Sequence, residues 1–220
     1  MKKSLALIAV LAAGITLASA APVLSLHGSV GEGWGTTFAN ETANNYVKPF
    51  GNNLDFNFGV GLNFSIGGYF GIQPEVNVAI NNAGYQTSDS NAYPNVVSNY
   101  VSIDIPLLLT IRYNKFNFLV GPYVSFPLGE MKTTYNLSDS SVTEGTSAIS
   151  NAPFTVWGLT VGGGYEERLG IGRLVFGVRY SLDFTPIKTT TTVGPINVTG
   201  EYFTRRALYI DISYKFALDF

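Results

Sequence analysis

The sequence predicts an all-β fold, an eight-stranded antiparallel up-and-down transmembrane β-barrel, on three observations. The first is unbroken alternation between Asn53 and Ile66. Leu54, Phe56, Phe58, Val60, Leu62, Phe64 and Ile66 take one parity, while Asn53, Asp55, Asn57, Gly59, Gly61, Asn63 and Ser65 take the other. Successive side chains of a strand point to opposite faces, so one face here is continuously apolar and the other polar. Ordinary strands run to about five or six residues; at about 3.3 Å per residue this one is long enough to cross a bilayer at a tilt. The second observation is that the pattern recurs along the rest of the chain. The third is charge: Asp, Glu, Lys and Arg make up 13% of the residues, about half the usual share. No internal run reaches eighteen apolar residues. A chain this poor in charge without a helical span suits strands closed on themselves, which leave no backbone group unpaired in lipid.

Residues 1–20 read as a cleaved signal peptide. Lys2 and Lys3 precede an apolar run from Leu5 to Leu17, and Ala18-Ser19-Ala20 forms a small-x-small cleavage site. The run is too short for a helical anchor, which needs roughly twenty residues. With no cysteine in the chain, a lipobox and a disulfide framework are both excluded. Residues 21–220 then form one barrel domain.

Seven further segments join the first. Residues 23–35 carry Leu24, Leu26, Val30 and Trp34 on one face. Residues 70–80 set Phe70, Ile72, Val76, Val78 and Ile80 against Gln73, Glu75 and Asn77. Residues 100–113 set Val101, Ile103, Ile105, Leu107, Leu109, Ile111 and Tyr113 against Ser102, Asp104, Pro106, Thr110 and Arg112. Residues 116–128 present Phe116, Phe118, Val120, Val124, Phe126 and Leu128. Residues 155–165 present Trp157, Leu159, Val161 and Tyr165 opposite glycines. Residues 172–184 set Leu174, Phe176, Val178, Tyr180, Leu182 and Phe184 against Arg173, Arg179, Ser181 and Asp183. The last strand sets Leu208, Ile210, Ile212, Tyr214, Phe216, Leu218 and Phe220 against Asp211, Ser213, Lys215 and Asp219. An even number of strands suits antiparallel closure.

The joins alternate in length. Short ones lie at Gly67–Tyr69, at Asn114–Lys115 and around Arg168–Ile171, and long ones at 36–51, 82–99, 129–152 and 185–203. Short periplasmic turns and long extracellular loops are the asymmetry of an outer-membrane barrel. Alternation alone does not say which face is outside, since a lipocalin-like barrel turns its apolar face inward. A water-facing surface carries charge at about a quarter or more of its positions. Here the polar face is mostly Asn, Gly, Ser and Thr, which suits a narrow lumen, so the apolar face is read as facing lipid.

Three residues interrupt the pattern. Glu32 falls on the apolar face between Gly31 and Gly33, so a β-bulge that re-aims it or a position above the membrane is expected. Pro106 and Pro122 interrupt central strands and remove ladder donors. Counted outward from Asn114–Lys115, they come out nearly opposite one another, so one local break would serve both.

The stretch VSIDIPLLLTIRYNKFNFLVGPYVSF at 101–126, with its IPLLL strand, tight turn and GPY strand, resembles the outer membrane protein β-barrel domain family, the PorT-like branch of the OmpA/OmpX-type barrels. The terminal ALYIDISYKFALDF, ending in Phe220, looks like the aromatic-ended segment by which the outer-membrane assembly machinery recognises its clients. The resemblance implies a cell outer membrane location, partnership with the lipid bilayer, and Phe220 as an assembly signal. It implies no biochemical activity, because small barrels host many roles.

Chemistry is sparse. His27 is the only histidine, and it reads as a polar lumen or interface residue near the periplasmic mouth. An outer-membrane enzyme would want it beside a Ser or an acid near the outer rim, so no enzyme is expected. One His without Cys gives no metal site, and no cofactor is expected. The glycine clusters at Gly31–Gly35 and Gly162–Gly164 lack a strand–loop–helix setting for a nucleotide. Net charge of −2, with no basic patch, points away from nucleic acid. The inward charges carry more meaning: Asp55, Glu75, Asp104, Arg112, Arg173, Arg179, Asp183, Asp211 and Lys215 all fall on the polar face. A barrel of this size is just wide enough for side chains to fill, so these ions are expected to pair into a polar network that closes the lumen, with Arg179 directly beside Asp211. The leading expectation is a structural or surface-interaction barrel, whose loops 36–51, 82–99, 129–152 and 185–203 meet an extracellular ligand or host surface. The alternative is a small OmpW-type channel for ions or small hydrophobic solutes, lined by the same ions.

Overall fold

A computed structural model describes residues 22–39, 54–66, 68–85, 95–136, 142–148, 155–185, 187–193 and 196–217. Eight strands form the wall: β1 (Val23–Ala39), β2 (Leu54–Ile66), β3 (Phe70–Tyr85), β4 (Asn95–Tyr113), β5 (Phe116–Asn136), β7 (Val156–Leu169), β8 (Gly172–Asp183) and β10 (Ile196–Ala217). Each pairs antiparallel with the next, and β1 closes the barrel against β10 from Val23–Ala217 to Ala39–Glu201. Two short strands are added to the wall, β6 (Val142–Ala148) on β5 and β9 (Ile187–Val193) on β10.

The apolar parity faces out. Phe58, Val178 and Ile210 are exposed on the outer surface, whereas Ser25, Asp55 and Asn81 are buried inside. The lipocalin alternative would need the reverse. From Leu54 to Ile66 the outward run covers about 40 Å of strand and, at a tilt near 40°, about 30 Å of height, which matches the hydrocarbon thickness of a bilayer. Tyr69, Tyr113, Phe116 and Tyr165 stand exposed around the short-turn end, where amphipathic rings suit the lipid–water boundary. The turns there are closed by left-handed backbone at Asn114, φ 54°, and Gly170, φ 60°, conformations that Asn tolerates and Gly adopts freely.

The strands run further toward the long loops than alternation predicts. β1 continues through Thr36–Ala39, β4 begins at Asn95, β5 runs to Asn136, and β10 begins at Ile196, so four segments expected as loops are partly ladder. Outside the membrane, apolar alternation is no longer required, while backbone pairing still is. The sequence signal therefore stops before the strand does. The first twenty residues, the last three including Phe220, and the long-loop tips lie outside the described residues.

Glu32 needs no bulge. It pairs in continuous register with Leu54 and Leu208 and stays on the outer surface. The two prolines do share a break: the β4–β5 ladder skips from Pro106–Tyr123 to Leu109–Val120. Pro74 extends it, since β3–β4 skips from Pro74–Leu107 to Asn77–Asp104, and β2–β3 from Gly61–Glu75 to Phe64–Ile72. Gly121 is needed in this seam, because a Cβ there would collide with the carbonyl oxygen of Leu107.

Candidate functional site

Inward parity delivers polar side chains from every wall strand to one narrow lumen, where they form three layers. Near the short turns, β7 contributes Glu166, whose carboxylate accepts a hydrogen bond from Lys215 Nζ at 2.7 Å. The Arg112 and Arg173 guanidinium groups each approach its other oxygen at 3.4 Å. Arg112 and Arg173 lie partly in solvent, while Lys215 and Glu166 are buried.

A neutral relay leads inward. Asn63 Nδ2 donates to Gln73 Oε1 and to Thr110 Oγ1, both at 3.0 Å, and Gln73 Nε2 donates to Glu75 Oε1 at 2.6 Å. Glu75 is the centre of the middle layer. Its second oxygen accepts from Arg179 Nη1 at 2.7 Å and lies 3.7 Å from His27 Nε2. Arg179 Nε lies 3.4 Å from Asp211 Oδ1. Gly59, on the same inner face, leaves room for this cluster: a Cβ there would collide with Asn77 and His27.

Toward the long loops the balance reverses. Arg205 is flanked by Asp55 at 3.7 Å and Asp104 at 3.8 Å. Its backbone N–H donates to Asp183 at 3.2 Å. Tyr123 donates to Asp183, and Tyr209 donates to Asp55 at 3.4 Å. Asp104 accepts from Ser102 at 2.7 Å and also from Ser125. Among the described residues, small voids lie between the layers, about 20 Å³ beside Tyr123 and Tyr209 and about 10 Å³ beside Gln73 and Lys215. Each has room for about one water.

All nine expected lumen residues therefore have inward parity, but they do not form one cluster. Arg112, Arg173 and Lys215 belong to the mouth, Glu75, Arg179 and Asp211 to the middle, and Asp55, Asp104 and Asp183 to the far end. Arg179 is not directly opposite Asp211; it faces Tyr209, while Asp211 faces Gly177. The register is two residues off, and the two side chains meet on the diagonal. His27 is not at the mouth. It pairs with Gly59 and Ser213, one inward-facing position deeper than the Ser25–Lys215 pair.

Reading the sequence missed Glu166 and Arg205, the hubs of the two end layers. Both sit just beyond the expected strand limits, at 165 and 208, on the inward parity of their strands. Extending that parity by a turn's length would have found them. Outside the span, Lys115 donates to Glu167 at 2.6 Å, and this bond holds its ammonium above the usual lysine range. Among the described residues no group of three or more His, Asp or Glu is arranged to hold a metal ion.

The family profile described as "Outer membrane protein beta-barrel domain" matches residues 14–189, well over half of the chain. The chain belongs to that family. It is a protein of the cell outer membrane, embedded in the lipid bilayer, with its short turns at the periplasmic end. Comparison with curated protein sequences finds no match. Among solved structures it is similar to the outer membrane protein OprG from Pseudomonas aeruginosa, at 14% identity over 90% of this chain and 97% of that one, with a TM-score of 0.47. It is also similar to Neisserial surface protein A, at 14% identity over 89% and 96%, TM-score 0.39. A third is Ail, the attachment invasion locus protein of Yersinia pestis, at 10% identity over 89% and 99%, TM-score 0.39.

Proposed function

We propose that this outer-membrane barrel is non-catalytic and serves a structural or surface-interaction role through its polar extracellular loops, with a lumen that the ion network keeps closed. The observation that carries the reading is the middle layer. There Arg179 bonds Glu75 from across the barrel and reaches Asp211 on the neighbouring strand, and the voids it lines among the described residues measure about 20 Å³ and 10 Å³. Ions with this degree of burial are stable only when paired, because an unpaired buried charge costs several kcal/mol. Opening a path would require separating these pairs. The loops 36–51, 82–99, 129–152 and 185–203 are the part left to meet an extracellular ligand or host surface, and Phe220 serves as the signal to the assembly machinery.

Efflux from proteoliposomes tests the closed lumen. Vesicles loaded with a small ionic dye or a small apolar solute are expected to leak no faster with the folded protein than without it. Selective, protein-dependent release of either would favour the OmpW-type channel instead. For the assembly signal, deleting Phe220 is expected to lower outer-membrane levels while refolded protein keeps its stability. Equal losses in both would argue against that role.

A further inference from the structure

Among the described residues, the periplasmic mouth has a charge imbalance that the pairing within the barrel does not resolve. A cavity of about 330 Å³ opens there, lined by Arg112, Arg168, Arg173 and Lys215 together with Val23, Ile171 and Gly172. Four cations thus surround one space, and Glu166 is the one carboxylate paired with any of them among the described residues. Glu167, the nearest other acid in sequence, is held instead by Lys115 at 2.6 Å and Tyr165 at 2.9 Å. Arg168 has no ion-pair partner among the described residues. Arg112 and Arg173 each meet Glu166 through a single nitrogen, at 3.4 Å. A guanidinium carries five N–H donors, so most of theirs have no carboxylate partner among the described residues.

We propose that this mouth is a binding site for a phosphate group, clasped by Arg112, Arg168 and Arg173. Four positive charges less one leave three to be met. A single carboxylate supplies one negative charge and two oxygens; a phosphate supplies more of both, in a geometry that guanidinium forks match in bidentate fashion. The height of the site agrees. The ring of Tyr69, Tyr113, Phe116 and Tyr165 marks the periplasmic lipid–water boundary, the level at which phospholipid phosphates lie. Ile171, 94% exposed at the rim of the cavity, offers an apolar contact beside the cations. The phosphate therefore has two possible sources, a lipid headgroup of the inner leaflet or a soluble phosphate-bearing solute. The site goes beyond the closed-lumen reading and does not depend on it.

Two probes separate the sources. Protein folded in an uncharged maltoside detergent is titrated with inorganic pyrophosphate at low salt by calorimetry. In parallel, native mass spectrometry counts lipid retained after release from phosphatidylglycerol or phosphatidylcholine nanodiscs. Saturable binding of pyrophosphate, or retention of phosphatidylglycerol but not phosphatidylcholine, is expected in the unmodified protein. Either should weaken about tenfold or more in the Arg168→Gln/Arg173→Gln variant and decline with added salt. Both side chains are exposed, and an unchanged heat-modifiable gel shift verifies the fold of the variant. Retention of lipid alone identifies the headgroup; pyrophosphate binding alone identifies a soluble ligand. Three results would overturn the site: no saturable binding of either probe, equal binding by the double variant, or binding seen only after Asp219→Asn. The last would mean that the carboxylate of Asp219 itself occupies the mouth.

Discussion

At the extracellular end of the lumen two carboxylates, Asp55 and Asp104, flank the guanidinium of Arg205 while Asp183 accepts from its backbone N–H, whereas at the periplasmic mouth Arg112, Arg173 and Lys215 surround the carboxylate of Glu166. The hubs have opposite sign, and their access to water also differs. Arg205 and Asp55 are almost wholly buried, while the side chain of Arg173 is 51% exposed. Charges attract more strongly, and cost more to strand, where water is excluded. Identical ion pairs should therefore differ greatly in what they contribute, according to depth. On this account the far end contributes more to stability, and the mouth keeps guanidinium N–H groups without a carboxylate partner among the described residues.

The largest expected effect is at the buried hub. Arg205→Ala leaves the buried carboxylates of Asp55 and Asp104 without their cation and should destabilise the barrel by about 3–5 kcal/mol, read from urea unfolding in detergent or lipid vesicles. Partial recovery on adding Asp104→Asn would sharpen the assignment to charge; a loss below about 1 kcal/mol would break the comparison. Next comes the lipid face, where Phe58→Arg should cost about 2–4 kcal/mol in the same assay. A cost unaffected by how deep in the bilayer the Arg is placed would contradict the orientation of the faces. Lys215→Ala should follow at about 1.5–3 kcal/mol, the value of a charge-assisted hydrogen bond, because Arg112 and Arg173 remain to pair Glu166. Arg173→Ala should cost about 0–1 kcal/mol, as exposed pairs do. If Arg173→Ala proved as damaging as Arg205→Ala, depth would not be the deciding variable.

The wall was legible because lipid enforces it. Every outward position from Leu54 to Ile66 must be apolar, and the resulting period 2 fixed strand number, faces and order. Lipid imposes no such rule above the membrane, so the extensions of β1, β4, β5 and β10, and the short strands β6 and β9, left no period to read. The lumen was legible by face but not by height. Parity assigns Asp211 and Arg179 to the inside, yet their meeting depends on a register that parity does not fix, and the Arg179–Tyr209 pair shows it offset by two residues. Arg205 and Glu166 fell just outside the alternating runs, which is why the hubs of both end layers went unrecognised. His27 looked peripheral from its place in the chain; closure between β2 and β10 put it against Glu75. Glu32 kept its outward place without a bulge, because one acid near the end of the apolar band is tolerated far better than one at its centre.

The central claim is that ion pairing in the middle layer closes the lumen, and single-channel recording in planar bilayers tests it most directly. Unmodified protein should stay at the baseline, and Arg179→Ala, which frees Glu75 and Asp211 from their shared cation, should produce discrete conductance steps. Stable steps of equal size from both proteins would contradict the claim.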